Sequence, residues 1–228
     1  MSSPATPRRI AIAIDGPASS GKGTMARLLA QELGYSYVDT GALYRVVGLR
    51  ALGAGLDLGD GESVGALARA LRLHFGWSER GLRVFEGEDD LSDAIRNERV
   101  GRAASDVAVL PAVRAALLGL QRALGAAGGV VVDGRDIGTV VLPDAALKVY
   151  LDADPAERAR RRATELRAKG QDADEQAIFD ELVARDAQDA GRAHAPLCQA
   201  ADAVRVDSTG RTPAAVLAEL VALARARM

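Results

Sequence analysis

One short segment near the start of the chain constrains the fold more than any other. Residues 10–24 read Ile-Ala-Ile-Ala-Ile-Asp-Gly-Pro-Ala-Ser-Ser-Gly-Lys-Gly-Thr, a buried-type strand followed by a glycine-rich loop and a helix start. Gly16, Gly21 and Lys22 have the G-x-x-x-x-G-K spacing of a phosphate-binding loop (P-loop). In such a loop, backbone N–H groups and the helix N-terminus face the phosphates. We therefore predict a phosphate site here; the alternative is a plain glycine-rich turn.

This P-loop departs from the usual form at one position. Gly23 follows the lysine where Ser or Thr is usual, and Thr24 comes one place later. The usual hydroxyl contacts Mg²⁺, so the residues that would contact the metal in this chain stay open.

Composition is typical of a soluble globular chain and excludes several classes of protein. The 228 residues predict one domain, and the net charge of −2 gives no indication of nucleic-acid binding. The single cysteine, Cys198, excludes an internal disulfide, and His74 and His194 lack metal-ligand spacing. The polar segment 1–9 contains no signal-peptide core, and no run of about 18 apolar residues indicates a membrane span. We expect a cytoplasmic protein.

The order of elements predicts a parallel α/β sheet. Strand patterns near residues 10, 36, 130, 147 and 204 are separated mostly by helical patterns. One departure is a β-hairpin pattern, in which residues 71–77 and 82–86 flank Ser-Glu-Arg-Gly, and this indicates a small inserted subdomain. A helical pattern then runs from about residue 93 to 124, with Pro111 at the start of its second half.

An aspartate ends or follows each of four predicted strands: Asp15, Asp39, Asp133 and Asp152. Ligands of parallel α/β sheets collect at the carboxyl ends of strands, so each is a site candidate, with turn or helix capping as the alternative. Asp133 follows three valines, the pattern that P-loop enzymes place near Mg²⁺.

Only three of the 29 basic residues are lysines and the rest are arginines. Because codon bias can explain this excess of arginine, each arginine has to be judged by its position. Arg135 lies beside Asp136 at a strand end, where a guanidinium can bind phosphate with two hydrogen bonds. Arg45 and Arg114 lie on helices nearby. The cluster Arg158, Arg160, Arg161 and Arg162 indicates either a solvated helix face or a charged cover over a triphosphate.

The absence of certain motifs limits the classes of reaction that this sequence predicts. The guanine-reading motif Asn-Lys-x-Asp is absent, because the sole asparagine, Asn97, precedes Glu98. No catalytic base stands out, which is consistent with an acceptor that is itself an ionised phosphate. Many arginines would then bring two polyanions together.

Four segments together resemble the bacterial cytidylate kinase family. They are Gly16–Thr24, Asp39-Thr40-Gly41-Ala42-Leu43-Tyr44-Arg45, Asp133-Gly134-Arg135-Asp136-Ile137-Gly138-Thr139-Val140-Val141, and Arg185-Asp186 with Asp189 and Arg192–Leu197. The resemblance runs from about Arg9 to the C-terminus. It implies an α/β/α P-loop NTPase fold with a five-stranded parallel sheet, in one kinase domain over residues 1–228. An insert that binds the nucleoside monophosphate (NMP) would span about 39–105, and a short helical lid about 155–172.

The resemblance also implies residue roles. ATP would be bound by Gly16, Pro17, Ala18, Ser19, Ser20, Gly21, Lys22, Gly23 and Thr24, with Mg²⁺ contacted by Thr24 or by water alone. CMP would be bound by Thr40, Tyr44, Arg45, Ser105, Arg114, Arg135, Asp136, Arg185 and Asp189. Catalytic contacts would come from Lys22, Arg135, Arg192, Arg158 and Arg162. In this assignment Arg45 and Arg135 bind the acceptor phosphate; Ser105, Arg114 and Asp136 contact cytosine.

Two matches to the family differ in detail. Thr40 stands where serine is common, and the segment between Asp186 and Arg192 is less charged than usual. The reaction implied is transfer of the ATP γ-phosphoryl group to CMP or dCMP by a monomer. The alternatives are a kinase for UMP, AMP or shikimate, and a regulatory module that binds a nucleotide without phosphoryl transfer.

Overall fold

The structure of the protein is a computed structural model that describes residues 9–78 and 81–228. Its strands are β1 (Ala11–Asp15), β2 (Ser36–Asp39), β3 (Leu73–Ser78), β4 (Gly81–Glu86), β5 (Asp89–Asp90), β6 (Val130–Gly134), β7 (Leu147–Asp152) and β8 (Val204–Asp207). Its α-helices are α1 (Lys22–Leu33), α2 (Gly41–Gly53), α3 (Gly61–Ala70), α4 (Glu98–Ala108), α5 (Pro111–Gly125), α6 (Pro155–Ala168), α7 (Glu175–Ala190) and α8 (Pro213–Arg225). A π-helical turn covers Ile137–Val141.

The predicted parallel sheet is confirmed. Its strand order is β2-β6-β1-β7-β8, and every neighbouring pair is parallel. The carboxyl ends of β1, β2, β6 and β7 therefore meet at one edge, with Asp39 opposite Asp133 in the register.

The predicted hairpin is also confirmed, as β3 and β4 pair antiparallel. The structure adds a third strand, β5, that the sequence patterns did not predict. Residues 79–80 of the hairpin turn and residues 1–8 of the polar N-terminal segment lie outside the described residues, so the expectations there stay predictions.

The helical pattern predicted over residues 93–124 forms two helices, α4 and α5, and the predicted position of Pro111 at the start of the second half is confirmed. The predicted start near residue 93 is wrong. Helix α4 begins only after Asn97, whose side chain accepts a hydrogen bond from the backbone N–H of Val100. Helix α5 restarts at Pro111, and the two helices meet at 101°. Proline is favoured at the first helical position, where its missing N–H costs nothing, so Pro111 starts a new helix.

Apolar side chains form layers on both faces of the large sheet. On one face Ile12, Leu29 and Leu220 join α1 and α8 to the strands. On the other face Val132 and Val141 pack with partly buried residues of α5. This α/β/α layering is the fold expected from the sequence.

The segment between β2 and β6 has an apolar core of its own. Leu43, Val47, Val64, Val107 and Val113 bring α2, α3, α4 and α5 together there.

Within the described ranges, no single helix is long and apolar enough to cross a membrane, and α4 with α5 passes that test only as a bent pair.

Candidate active site

The P-loop joins the end of β1 to the start of α1. A Cβ at Gly16 would lie 2.0 Å from the carbonyl oxygen of Leu151, so only glycine allows β7 to approach this closely. Gly21 has a φ of 88°, a left-handed conformation that side chains disfavour. Ser19 also has a positive φ, of 59°, and such strained residues cluster at ligand sites. The loop shape therefore depends on both glycines of the motif.

Lys22 lies beneath this loop and is only 8% exposed. Its Nζ donates a hydrogen bond to the carbonyl oxygen of Pro17 at 3.0 Å. Burial lowers the pKa of Lys22, and the positive charge of Arg135 lowers it further. In the same loop, Ser20 Oγ is buried without a hydrogen-bond partner among the described residues. A bound phosphate would stabilise the charge of Lys22.

Arg158, predicted as a catalytic lid residue, lies behind the P-loop and is 3% exposed. Its guanidinium donates to the carbonyl oxygens of Ala153 and Ala18, at 3.0 Å each. It also pairs with Asp186 at 2.6 Å. In this structure Arg158 therefore fixes the position of the loop, and its contact with a transferred phosphoryl group stays a prediction.

Two residues contact the P-loop in a way that the sequence did not predict. They are Arg161 and Ser208, and both donate to the carbonyl oxygen of Ser20. Arg161 donates to the hydroxyl and the carbonyl oxygen of Ser208, at 3.0 and 2.7 Å. Ser208 Oγ in turn lies 3.3 Å from the carbonyl oxygen of Ser20. Ser208 directly follows β8, so the strand-end argument that selected the aspartates would have found it.

A cavity of about 1060 Å³ adjoins the P-loop. Its lining includes all nine residues predicted on the CMP side: Thr40, Tyr44, Arg45, Ser105, Arg114, Arg135, Asp136, Arg185 and Asp189. Lys22, Arg162 and Arg192 line it as well. The fold thus brings residues that are far apart in the chain to one cavity.

A cluster of arginines surrounds Asp189 in this cavity. Arg135 Nε donates to Asp189 Oδ2 at 2.8 Å, and Arg192 pairs with Oδ1. Burial alone would raise the pKa of Asp189, but the charges of Arg135 and Arg192 outweigh it, and the pKa is lowered. Burial and then Arg135 lower the pKa of Arg185 to about 10. One carboxylate therefore faces three arginines.

Two guanidinium nitrogens of this cluster are orphaned. Arg185 Nε and Arg192 Nε are buried without a hydrogen-bond partner within residues 9–78 and 81–228. Buried polar atoms normally have a partner, and guanidinium groups match the oxygens of phosphate or carboxylate. The cluster is therefore prepared for an anionic ligand.

The wall beside this cluster has the character of a site for a planar polar ring. Arg114 pairs with Asp136, which is 4% exposed. The guanidinium carbon of Arg114 lies 5.6 Å from the centroid of the Tyr44 ring. Ser105 Oγ donates to the carbonyl oxygen of Gly101 at 3.5 Å and lines the same wall. This wall thus combines the aromatic surface of Tyr44, the donor groups of Arg114 and the acceptor oxygens of Asp136.

Two further predicted contacts lie at the rim. Arg45 donates to the carbonyl oxygen of Ile95 at 3.0 Å and passes Gly101, where a Cβ would lie 3.2 Å from its guanidinium. Thr40 Oγ1 donates to the carbonyl oxygen of Asp133 at 2.8 Å. Thr40 therefore joins the ends of β2 and β6, and its predicted contact with CMP is not tested by this bond.

Arg162 reaches across the cavity from α6. It pairs with Glu98 of α4, and with Glu165 at 2.7 Å. A second pair, Arg102 with Glu181 at 3.0 Å, also joins α4 to the opposite side, here to α7. Charges on α4 thus meet charges on α6 and α7 over the opening.

The strand-end aspartates divide into different roles. Asp15 accepts hydrogen bonds from the backbone N–H groups of Ile137 and Gly138 at 2.8 and 2.7 Å. Asp15 therefore caps a turn, which is the alternative to a ligand contact. Burial raises the pKa of Asp15 to about 6. Asp152 pairs with Arg205 at 2.8 Å at the outer strand.

Asp133 differs from these because it lies beside the P-loop. It is buried, 5% exposed, and burial together with the charge of Asp39 raises its pKa. With Gly23, Thr24, Tyr37 and Asp39 it lines a second cavity of about 500 Å³.

Residues 12–226 match the family model described as cytidylate kinase. The cytidylate kinase of Pelotomaculum thermopropionicum is 48% identical over 212 residues, which cover 92% of this chain and 94% of that protein. The cytidylate kinase of Pseudomonas entomophila is 53% identical over 201 residues, 87% of this chain and 88% of that protein. An uncharacterised protein from Eubacterium ventriosum has a similar fold, with a TM-score of 0.52 at 12% identity over 94% of this chain and 97% of its own. Because the family match includes both the P-loop and the arginine cluster, the chain belongs to the cytidylate kinase family.

Proposed function

We propose that the protein transfers the γ-phosphoryl group of ATP to the phosphate of CMP or dCMP, giving CDP or dCDP and ADP. The observation that carries this proposal is the buried cluster of Arg135, Arg185 and Arg192 around Asp189, beside the P-loop. Its excess positive charge and orphaned nitrogens favour a second phosphate group close to the first. Membership of the cytidylate kinase family supports the choice of acceptor.

The acceptor phosphate would be bound by Arg45 and Arg135, and the transferring phosphoryl group by Arg192. Arg185 and Asp189 would contact the pentose. These side chains come from α2, α7 and the end of β6 and line one cavity, so they hold the acceptor in a single orientation.

Cytosine would lie against Tyr44, Ser105, Arg114 and Asp136. The exocyclic amine of cytosine is a donor and requires an acceptor, which Asp136 provides. Arg114 can donate to the carbonyl oxygen and ring nitrogen on the same edge. Uracil presents a carbonyl oxygen where cytosine has its amine, so it would face the Asp136 carboxylate unfavourably.

The donor phosphates would be bound by the backbone of Gly16–Thr24 and by Lys22. The carboxylate of Asp133 and the hydroxyl of Thr24 suit Mg²⁺, which prefers oxygen ligands and is usually held jointly by carboxylates and substrate phosphates. Within the described residues, no group of three or more His, Cys, Asp or Glu side chains could hold a metal alone. When bound with ATP, Mg²⁺ would neutralise charge on the donor phosphates.

The chemical step needs no base from the protein. An oxygen of the ionised CMP phosphate forms a bond to the γ-phosphorus, and the bond from that phosphorus to the bridging oxygen of ADP breaks. Lys22, Arg135 and Arg192 stabilise the negative charge that spreads over the transferring group. No proton has to be removed from the acceptor.

We further propose that the segment 39–105 and the lid 155–172 close over the substrates. The separate core of the insert and the ion pairs of Glu98 with Arg162 and Arg102 with Glu181 support this motion. Closure would exclude water and so reduce wasteful hydrolysis of ATP. The working unit in this proposal is a monomer.

A product analysis tests the reaction class. ATP, Mg²⁺ and CMP are incubated with the protein, and the nucleotides are separated by ion-exchange chromatography. We expect CDP and ADP in equal amounts, and little ADP when CMP is left out. ADP formation that does not depend on CMP would contradict the proposal and indicate a hydrolase.

A further inference from the structure

Tyr37, a residue of β2 without an assigned role so far, contacts the carboxylate beside the P-loop. Its hydroxyl donates to Asp133 Oδ1 at 3.1 Å. Tyr37 lies opposite Val131 in the register between β2 and β6, and Asp133 is two residues further along β6. The Tyr37 side chain therefore reaches diagonally to the end of β6. Both residues line the second cavity together with Gly23 and Thr24.

Gly23 leaves the space that this contact uses. A Cβ at position 23 would lie 3.3 Å from Tyr37 Oη and 3.6 Å from Asp133 Oδ2. The first distance is tighter than ordinary van der Waals contact, so a larger residue would require the tyrosine hydroxyl to shift by a few tenths of an ångström. The unusual glycine after the P-loop lysine is therefore matched to a tyrosine on the neighbouring strand.

We infer that Tyr37 is a positioning residue, whose hydroxyl takes the place of the missing P-loop hydroxyl beside Asp133. In the usual P-loop a Ser or Thr after the lysine and an Asp at a strand end hold the metal of the bound nucleotide together. Here the Tyr37 hydroxyl donates to Oδ1 of Asp133, and Oδ2 faces Gly23 of the P-loop. This inference rests on the proposed function, since it needs ATP with Mg²⁺ in the P-loop.

The ring and the hydroxyl of Tyr37 have separable roles. The ring packs against the apolar layer that includes α1 and α8. Tyr37→Phe keeps this packing and removes only the donor to Asp133. Tyr35→Phe is a matched control, because the Tyr35 hydroxyl accepts a hydrogen bond from the backbone N–H of Ile10 at 3.1 Å and lies outside the lining of both cavities.

The experiment measures binding of a non-hydrolysable ATP analogue by titration calorimetry, with Mg²⁺ and with EDTA, in the absence of an acceptor. We expect Tyr37→Phe to reduce the tightening by Mg²⁺ about ten-fold and to leave binding in EDTA unchanged. Tyr35→Phe should show the wild-type tightening. Gly23→Ser should reduce it in the wild-type background, because the new Cβ crowds Tyr37.

The double variant gives the sharpest result. With the tyrosine hydroxyl removed, the serine of Gly23→Ser has room and returns a hydroxyl to Asp133, so Tyr37→Phe with Gly23→Ser should recover most of the Mg²⁺ effect. Wild-type Mg²⁺ tightening in Tyr37→Phe, or a double variant weaker than either single variant, would overturn the inference. Turnover of CMP by the wild-type protein is a separate measurement, so failure of the proposed function is recognised independently.

Discussion

Arg135 Nε donates to Asp189 Oδ2 across 2.8 Å, and this contact joins the end of β6 to the last turn of α7. Asp189 bonds Arg192 with its other oxygen, so a single buried carboxylate orients two of the arginines assigned to phosphate. The proposed acceptor site is therefore held together by one ionised side chain.

Asp189→Asn should lower kcat/KM for CMP about 100-fold, because it leaves Arg135 and Arg192 buried without a counter-ion. KM for ATP should change little. Steady-state kinetics with each substrate varied checks this. Asp202→Asn is the control, since that carboxylate pairs with Lys148, is itself 65% exposed and lines neither cavity. Equal losses in both variants would contradict the role of Asp189.

Lys22→Ala and Arg135→Ala should each lower kcat by about 10³-fold or more, since each removes a cation from the transferring group. Neither change should unfold the protein, because both side chains border the cavity and not the apolar layers. Quenched-flow measurement of CDP formation, with thermal unfolding alongside, tests this. Arg225→Ala is the control, as Arg225 pairs with Glu32 at the surface. Near-normal turnover in either site variant would contradict its assignment.

Asp136→Asn should shift the choice of base from cytosine toward uracil. The new amide can donate to the uracil carbonyl oxygen, and it no longer offers two acceptors to the cytosine amine. We expect the ratio of kcat/KM for CMP to that for UMP to fall about 10- to 100-fold. If the ratio is unchanged while both rates fall, Asp136 does not contact the base.

Asp15 should give the folding stability a distinctive pH dependence. Burial raises its pKa from 3.8 to about 6, so the folded state retains a proton that the unfolded state has already lost. The contribution of Asp15 to the free energy of unfolding is therefore complete below pH 3.8. This contribution, roughly 2 to 3 kcal/mol, is lost as the pH rises through about 6.

Urea unfolding of the wild type and of Asp15→Asn between pH 4 and 7 tests this. The difference in unfolding free energy between them should change over that interval and level off above it, because all other groups are common to both proteins. Parallel curves would show that Asp15 does not titrate as described.

Much of the site could be predicted from the sequence because its residues lie in short segments next to strand ends. The P-loop and the segment Asp133–Asp136 need only local spacing and the rule that parallel strands present their carboxyl ends together. That rule predicts Arg135 and Lys22 at the same edge of the sheet, where the structure has them. The cavity is lined by all nine residues that the family resemblance implies for CMP, and some of these, such as Arg114 and Asp189, lie within helices, where the strand-end rule does not select them.

Other features depend on geometry that no local pattern contains. The role of Asp15 requires the π-helical turn at Ile137–Val141, which presents two N–H groups to its carboxylate. The bond from Tyr37 to Asp133 depends on the register between β2 and β6. Pro111 indicates the start of α5, but the apolar periodicity continues from α4 into α5. The periodicity therefore does not predict that the chain changes direction between the two helices.

The most direct test of the account compares acceptors under one assay. Release of ADP from Mg·ATP is followed with CMP, dCMP, UMP, AMP and shikimate, and kcat/KM is determined for each. We expect CMP and dCMP to give by far the highest values, and their advantage over UMP to fall about 10- to 100-fold in Asp136→Asn. A higher value for AMP, UMP or shikimate in the wild-type protein would contradict the proposed function.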